Sequence, residues 1–324
     1  MTLLSPASIR AIPLTENATR ILLEGIIDYA GLFPPAALTM PVAVRNYAHF
    51  RGSGSGWIIG RFVCPADALE QFSIAADVLL PRDSGAIPWR LTVTGSDDVA
   101  SDLASINAFN QRHRICFDDR GAIADAYEVK AADVDSVFRI DAACPDTLAT
   151  YVEVPLDTSP HEIDAMIEAI SRTDCRAKMR TGGLVPQAFP RAESIVAFLQ
   201  SCLAHRVPAK ATAGLHHVMR GSYRLQNDDP LSTCPMYGFL NLFLAAALLA
   251  QGGSAASAVQ LLRELNATSI EINDLHVRWR APGTNCLFDR VLLQRVRQTV
   301  LTSFGSCSFT EPVDEWRALG FMQR

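Results

Sequence analysis

Short runs typical of β-strands recur between longer segments of helical pattern along most of the chain. Eight such runs predict strands, at residues 26–33, 57–64, 89–94, 126–131, 150–155, 176–181, 208–215 and 302–309. Strands that alternate with helices form parallel sheets, and eight parallel strands can close into a barrel. The pattern therefore predicts an α/β protein with a (β/α)8 barrel of the TIM type.

The segments between the predicted strands begin as helices commonly do. Thr39 with Pro41, Ser96, and Ser159 with Pro160 stand where N-capping side chains and first-turn prolines are expected. The lengths of these segments suit right-handed crossovers between parallel strands. Each is therefore predicted to pack as a helix outside the barrel.

The stretch from residue 218 to residue 300 is too long for a single crossover. Helical patterns at 236–251, 256–266 and 286–300 predict a helical insertion before the last strand. We expect this insertion to cap the site or to form a contact in a homo-oligomer.

The chain is expected to form a single domain over residues 1–324. The loop at 51–56 (RGSGSG) is too short to link two domains, and no internal repeat is evident. A Rossmann-type open sheet is the main alternative fold, but its usual G-x-G-x-x-G and G-x-x-x-x-G-K-[ST] motifs do not occur.

The charge and the hydrophobic pattern of the chain bear on its expected partners and location. The net charge is -5, with no run of basic residues to neutralise a phosphate backbone, so nucleic acid is not an expected partner. The N-terminal residues lack the pattern of a secretory signal, which predicts a cytoplasmic protein. The apolar run at 238–250 is interrupted by Asn241 and is shorter than the ~20 residues that span a bilayer, so it is expected to be a buried helix.

The cysteines form no C-x-x-C pair, so neither a zinc ribbon nor a dithiol redox motif is predicted. Most are expected to be reduced core residues. There are eight: Cys64, Cys116, Cys144, Cys175, Cys202, Cys234, Cys286 and Cys307.

Lysine is scarce in this chain. Of its 29 basic residues only Lys130, Lys178 and Lys210 are lysines. Side chains two apart on a strand share a face, so Lys130 is expected on the face opposite Val129. The apolar face of a barrel strand meets the helices, and the charged face therefore points inward.

The same alternation turns further charges inward on the fourth to seventh strands. The inward set is Glu128, Lys130, Glu153, Lys178, Arg180 and Lys210. Burying a charge inside a barrel raises the free energy of the folded state unless the charge is paired. Several charges together therefore indicate a solvent-accessible site at the carboxyl ends of the strands. Four cations against two carboxylates favour an anionic ligand, a carboxylate or a phosphate ester. The alternative is a structural network that only fills the interior.

Lys178 is the best candidate for a nucleophile. Arg180 lies on its own strand and Lys210 on the next, and neighbouring cations lower the pKa of a lysine toward the neutral amine that attacks a carbonyl. This interpretation predicts that the neutral amine of Lys178 attacks a carbonyl.

Two short segments also resemble a known family. The sequence AKMRTGG around Lys178, followed 32 residues later by AKATAG around Lys210, is similar to the paired lysine strands of class I aldolases of the deoxyribose-phosphate aldolase type. The resemblance implies that Lys178 forms the Schiff base and that Lys210 perturbs it. The family's acid/base aspartate has no counterpart in WRLTVTG, and Arg180 stands where the family has a small hydroxyl residue. Glu128 or Glu153 is expected to carry the proton instead.

Longer phrases, DYAGLFPP, KATAGLHH and SFGSCSF, resemble a family of uncharacterised bacterial β/α-barrel proteins. Around these phrases lie residues that we expect to bind substrate: His216 and His217 after the seventh strand, Asp28 and Tyr29 with the GLFPP loop, Arg61, and Gly305 and Ser306. The backbone N–H groups of the last two could meet a phosphate, as could that of Cys307. A salt-bridge role for Arg61 and a satisfied buried amide for Asn241 are the alternatives to roles in the site.

These residues predict a lyase of the aldolase or retro-aldol class that acts on a small anionic carbonyl compound without a cofactor. Lys130 is counted among the catalytic candidates with the two other lysines and the two glutamates. A second hypothesis is a metal-dependent isomerase or hydrolase in which His216, Glu128 and Glu153 bind a divalent metal such as zinc or manganese, although no H-x-H or H-E-x-x-H motif occurs. A third is a barrel that binds anions without catalysis.

Overall fold

The computed structural model describes residues 16–83, 86–113, 121–225 and 233–321. Its central feature is a ring of eight parallel strands. They are β1 (Ile27–Tyr29), β2 (Ile59–Pro65), β3 (Trp89–Thr94), β4 (Ala122–Lys130), β5 (Ala149–Glu153), β6 (Arg176–Arg180), β7 (Ala209–Thr212) and β13 (Leu301–Ser306).

The ring is closed, in the order β1-β13-β7-β6-β5-β4-β3-β2. The predicted TIM-type barrel is therefore confirmed, and each of the eight predicted runs contains or overlaps one barrel strand. The observed strands differ from the prediction mainly at their ends, where loop residues had been included.

Helices surround the barrel. They are α1 (Ala18–Leu23), α2 (Met40–Gly52), α3 (Leu69–Ala76), α4 (Val99–His113), α5 (Val134–Ala143), α6 (Pro160–Ile170), α7 (Ala192–His205), α8 (Phe239–Ala250), α9 (Ala255–Leu262), α10 (Arg290–Thr299) and α11 (Thr310–Ala318).

Local sequence explains where several helices begin. Ser159 and Glu162 form a reciprocal capping box at the start of α6, and Thr39 is the N-cap residue of α2, as predicted. Ser96 does not cap a helix. Its backbone N–H and hydroxyl both bind the Asp102 carboxylate, and α4 begins only at Val99.

The segment between β7 and β13 is mixed rather than helical. It contains α8, α9 and α10 but also two small antiparallel sheets. One pairs β8 (Gly221–Arg224) with β9 (Thr233–Met236), and the other joins β10 (Ile270–Ile272), β11 (His276–Ala281) and β12 (Thr284–Asp289). The three helices predicted for this insertion are present as α8, α9 and α10, and the short, partly buried strands beside them were not predicted.

The apolar run ends up as α8, a buried helix on the outside of the barrel. Its Phe239 ring stacks on Phe304 of β13, with ring centroids 4.9 Å apart. Asn241 accepts from the Arg220 backbone N–H and donates to the Leu261 and Glu264 carbonyls, so its amide is satisfied. Within the described ranges, no helix is long and apolar enough to cross a membrane.

Candidate active site

Four polar residues form one lateral row across four neighbouring strands of the barrel. The strand register pairs Lys130 with Glu153, Glu153 with Lys178, and Lys178 with Lys210. Residues in register on parallel strands project to the same side of a sheet. Lys178 and Lys210 are buried, whereas Lys130, the last residue of β4, is exposed at the mouth.

The Lys178 ammonium lies between two carboxylates. Its Nζ is 3.0 Å from Glu128 Oε2 and 2.9 Å from Glu153 Oε2. The side chain is 9 % exposed, and it lines a cavity of about 240 Å³ at the carboxyl ends of the strands. Lys178 thus combines near-complete burial with access to a cavity, as a nucleophile that must meet a substrate requires.

Lys210 lies deeper and is held more closely. Its Nζ is 2.5 Å from Asp28 Oδ2 and 2.7 Å from Glu128 Oε1, and the side chain is 1 % exposed. The ammonium also lies 5.3 Å from the centroid of the Tyr151 ring. Burial alone would lower the pKa of Lys210, but the Asp28 and Glu128 carboxylates outweigh it and hold that pKa above its ordinary value.

Asp28, which the sequence predicted to bind substrate, is a buried member of this network and does not line the cavity above Lys178. Its Oδ2 also accepts from the Ser303 hydroxyl at 3.0 Å, and its Oδ1 accepts from the Arg61 backbone N–H at 2.9 Å. With Asp28 included, three carboxylates face two ammonium groups. The buried part of the predicted set therefore carries no positive excess, and the remaining cations of that set, Lys130 and Arg180, are exposed at the mouth.

Glu128 links the two lysines because each of its oxygens faces a different ammonium. Burial would raise the pKa of the Glu128 carboxyl, but Lys178 and Lys210 lower it to about 2. Glu128 is therefore ionised across the neutral range and is a poor acceptor for a proton there.

The cavity above Lys178 is built from several strand ends and loops. Its polar lining includes Thr94, Glu128, Lys178, Arg180, Thr212 and His216. The Phe33, Pro34 and Pro35 side of the GLFPP loop closes one wall, and Gly305 lies in another. The loop and Gly305 thus both lie beside this cavity, and their binding of substrate stays a prediction.

The two histidines after β7 point to different places. The His216 Nδ1 is hydrogen-bonded to Ser306 Oγ at 3.1 Å, and burial with the neighbouring His217 lowers the pKa of His216 to about 4, so the ring is neutral at pH 7. His217 instead pairs with Glu315 Oε1 at 2.5 Å and stacks on Tyr223. It lines an adjacent cavity of about 260 Å³ and not the one above Lys178.

Two predicted site residues do not line the cavity above Lys178, although Tyr29 lines the adjacent one. Tyr29 faces away from the barrel interior and packs among the rings of Tyr47, Phe50 and Phe62, because it follows inward-facing Asp28 on the same strand. Arg61 lies lower in the barrel, where its Nε binds Asp125 Oδ1 at 2.7 Å. It therefore takes the salt-bridge role and does not line the cavity.

The same lower network contains two residues that the sequence did not single out. Arg90 also pairs with Asp125, and burial of that carboxyl is outweighed by the two arginines, which hold the pKa of Asp125 below its ordinary value. Ser303, which binds Asp28, was missed as well. Its position two residues before Gly305 on β13 is the signal that could have placed it on the same face.

The predicted metal set is not assembled. Across the described ranges, no three His, Cys, Asp or Glu side chains are grouped so as to hold a metal ion. Glu128 and Glu153 both face Lys178, while His216 is bonded to Ser306.

Seven cysteines have free thiols and Cys116 lies outside the described residues.

The chain matches no family model, and no curated protein matches it significantly. Among solved structures it is similar to a tetrameric deoxyribose phosphate aldolase from Aeropyrum pernix, with 13% identity and a TM-score of 0.43 over 78% of this chain and 97% of that one. It is also similar to a putative fructose-1,6-biphosphate aldolase from Coccidioides immitis, with 11% identity and a TM-score of 0.39 over 92% of this chain and 97% of that one. These values add nothing to the fold class, which the strand order already gives.

Proposed function

We propose that the protein is a lyase of the aldolase or retro-aldol class that binds a small anionic carbonyl compound as a Schiff base on Lys178. The observation that carries this proposal is the placement of the Lys178 amine beside a cavity and within 3.0 Å of two carboxylates. A Schiff base needs a primary amine, a group that accepts and returns its proton, and room for the carbonyl. All three requirements meet at Lys178.

The two carboxylates beside Lys178 take different roles. Because Glu128 is held ionised by two lysines, with a pKa of about 2, it fixes the position of the amine and offsets positive charge. Glu153, whose side chain is 13% exposed, faces only Lys178 among the lysines and is the proton carrier. The sequence left Glu128 and Glu153 as alternatives, and these contacts favour Glu153.

The reaction begins when the Lys178 ammonium passes a proton to Glu153. The neutral Nζ then attacks the carbonyl carbon, and an N–H proton moves to the former carbonyl oxygen to give a carbinolamine. Glu153 returns its proton to that hydroxyl, water leaves, and an iminium remains. These proton transfers restore the Glu153 carboxylate for the next step.

Carbon–carbon cleavage follows from the iminium. Glu153 removes the proton of the β-hydroxyl, the bond between the α and β carbons breaks, and its electron pair moves toward the iminium nitrogen to form an enamine. An aldehyde is released, the enamine carbon takes the proton from Glu153, and water hydrolyses the iminium to free Lys178. The reverse order of these steps forms the carbon–carbon bond.

Lys210 supports the amine rather than attacking the carbonyl. Asp28 and Glu128 hold it protonated, so it is not a nucleophile at neutral pH. It keeps Glu128 ionised and in place beside the Lys178 amine. Arg180, exposed at the mouth and in the lining of the same cavity, contributes a cation for an anionic substrate.

Reductive trapping tests the proposal. The protein is incubated with pyruvate, dihydroxyacetone phosphate or glyceraldehyde 3-phosphate, treated with borohydride, digested and analysed by mass spectrometry. We expect an adduct on Lys178 that is absent in Lys178→Met and retained in Arg139→Gln, a control at an exposed arginine of α5. Turnover of a panel compound without any adduct on Lys178 would contradict the Schiff-base mechanism.

A further inference from the structure

A second, larger cavity adjoins the first at the barrel mouth. Its volume is about 610 Å³, and it lies beside the ends of β4, β5 and β6. Arg180 lines both cavities, and Glu153 of the larger one is 2.9 Å from Lys178 of the smaller one. The two spaces therefore share Arg180 and lie on either side of the ion pair between the proposed nucleophile and proton carrier.

The larger cavity carries the cations that the buried network lacks. Lys130, Arg180 and Arg191 line it, against the carboxylates of Asp157 and Glu153. The Glu153 carboxylate already faces Lys178, so it neutralises little of this charge. The cavity is thus the part of the site with a positive excess.

Lys130 and Arg180 are also free to bind a ligand. Both are exposed, and neither has a hydrogen-bond or ion-pair partner within the part of the chain that the structure describes. Arg191 differs, since its Nε lies 3.7 Å from Glu193 Oε2. Unpaired cations beside a recess favour an oxyanion, and the nearby hydroxyls of Thr158 and Ser194 add hydrogen-bonding groups.

The spacing along the row of registered residues indicates how such a ligand would lie. Lys130 and Lys178 are separated by two strand spacings, which places their Cα atoms roughly 10 Å apart at about 4.8 Å per strand. A compound that reaches both positions has its carbonyl at one end and its anionic group at the other.

We infer that the larger cavity is the anion subsite of the enzyme, in which Lys130 and Arg180 bind the terminal phosphate or carboxylate of a substrate whose carbonyl reaches Lys178. This inference rests on the proposed function for the carbonyl end alone. It assigns Lys130 to binding rather than to catalysis, and it puts the anion beside the β4 to β6 ends rather than beside β7 and β13.

The scarcity of lysine makes a direct experiment available. Lys130 is exposed whereas Lys178 and Lys210 are buried, so a limiting amount of an amine-acetylating reagent will modify Lys130 before the other two lysines. Acetylation of Lys130 in the whole protein is followed by mass spectrometry with inorganic phosphate, glycerol 3-phosphate or malonate present. Sodium chloride at equal ionic strength controls for screening.

We expect at least one of these anions to slow acetylation of Lys130 by about five-fold or more at saturation, because a bound oxyanion occupies the ammonium. Protection by both phosphates and not by malonate indicates a phosphorylated substrate, and the reverse pattern indicates a dicarboxylate. Arg180→Gln should abolish the protection, whereas Arg139→Gln, an exposed arginine on α5, should leave it unchanged.

Protection no greater than that of chloride, or protection that persists in Arg180→Gln, would overturn the subsite. These outcomes are separable from failure of the proposed function, since acetylation requires no turnover. Anion protection of Lys130 without a borohydride adduct on Lys178 supports the subsite and rejects the Schiff base. The double variant Lys130→Gln/Arg180→Gln gives the opposite case. If the borohydride adduct on Lys178 forms equally well in this variant and in wild-type, the subsite is rejected and the Schiff base is retained.

Discussion

The barrel interior holds two buried ionic networks that differ in their cations. Near the amino ends of β2 and β3, Arg61 and Arg90 share the Asp125 carboxylate. Nearer the carboxyl ends, Lys178 and Lys210 share Glu128. Both networks satisfy charges that burial would otherwise make costly, so ion pairing alone does not identify the active site.

What separates the two networks is the chemistry open to each cation. A guanidinium remains protonated in proteins and cannot attack a carbonyl, whereas a lysine can give up its proton to a neighbour. This chain uses arginine for nearly all of its basic positions, yet two of its three lysines lie in the upper network. The choice of lysine over arginine is therefore the informative signal.

Exchanging the two kinds of cation gives the largest expected effect. Lys178→Arg keeps a positive charge between Glu128 and Glu153 but removes the nucleophile, so kcat/KM should fall on the order of 10³-fold or more, with no borohydride adduct. Arg61→Lys in the lower network should keep kcat/KM within about ten-fold of wild-type while lowering the free energy of unfolding by about 1–3 kcal/mol.

Both variants are measured by steady-state kinetics on the panel compound that is turned over and by urea denaturation. Lys178→Met serves as a second variant in case the larger guanidinium distorts the site. Equal activity in Lys178→Arg and wild-type would reduce the upper network to a structural ion pair like the lower one.

The barrel and its inward charges were predictable because alternation along a strand is a local property. Glu128, Lys178 and Lys210 all follow it. Asp125 did not, since the register between β3 and β4 shifts beside it and moves the phase of alternation by one residue. No period-two pattern could have placed that carboxylate inside.

The partners of each lysine were not predictable from the sequence. Lys210 meets Asp28, 182 residues away in the chain, because closure of the barrel brings β1 close to β7 through β13. Without that contact, the count of charges in the sequence overstated the positive excess of the site by one charge. Lys130 is two residues after Glu128 and shares its face of the strand. Because Lys130 is the last residue of β4, its side chain is exposed at the mouth of the barrel, which alternation alone does not predict.

Both networks should lose stability in acid, and this effect is smaller than that of exchanging their cations. The pKa of Glu128 is about 2 when folded and about 4.5 unpaired, so its stabilisation is present above about pH 4.5 and is lost as pH falls toward 2. The free energy of unfolding should decline by about 3 kcal/mol from this group over that range. Asp125, whose pKa is also lowered, adds a loss in the same direction.

Urea denaturation at several pH values between 2 and 7 tests this linkage. Glu128→Gln should flatten the dependence below pH 4.5, and Asp125→Asn should do so independently, since the two carboxylates sit in separate ion-pair networks. Glu168→Gln, at a half-exposed residue of α6, is the control and should follow the wild-type curve. A wild-type slope in Glu128→Gln would show that the lysines do not hold this carboxyl ionised.

The smallest expected effect concerns a neutral member of the upper network. Ser303→Ala removes the hydroxyl that donates to Asp28 Oδ2, but that oxygen keeps the Lys210 ammonium at 2.5 Å. The free energy of unfolding should therefore fall by only about 1 kcal/mol, and kcat/KM should change less than ten-fold. Ser171→Ala, whose exposed hydroxyl donates to a backbone carbonyl, is the matched control. A loss of activity as large as that of Lys178→Arg would instead mean that the position of Lys210 depends on Ser303, and that the upper network cannot be divided into a reacting lysine and a supporting one.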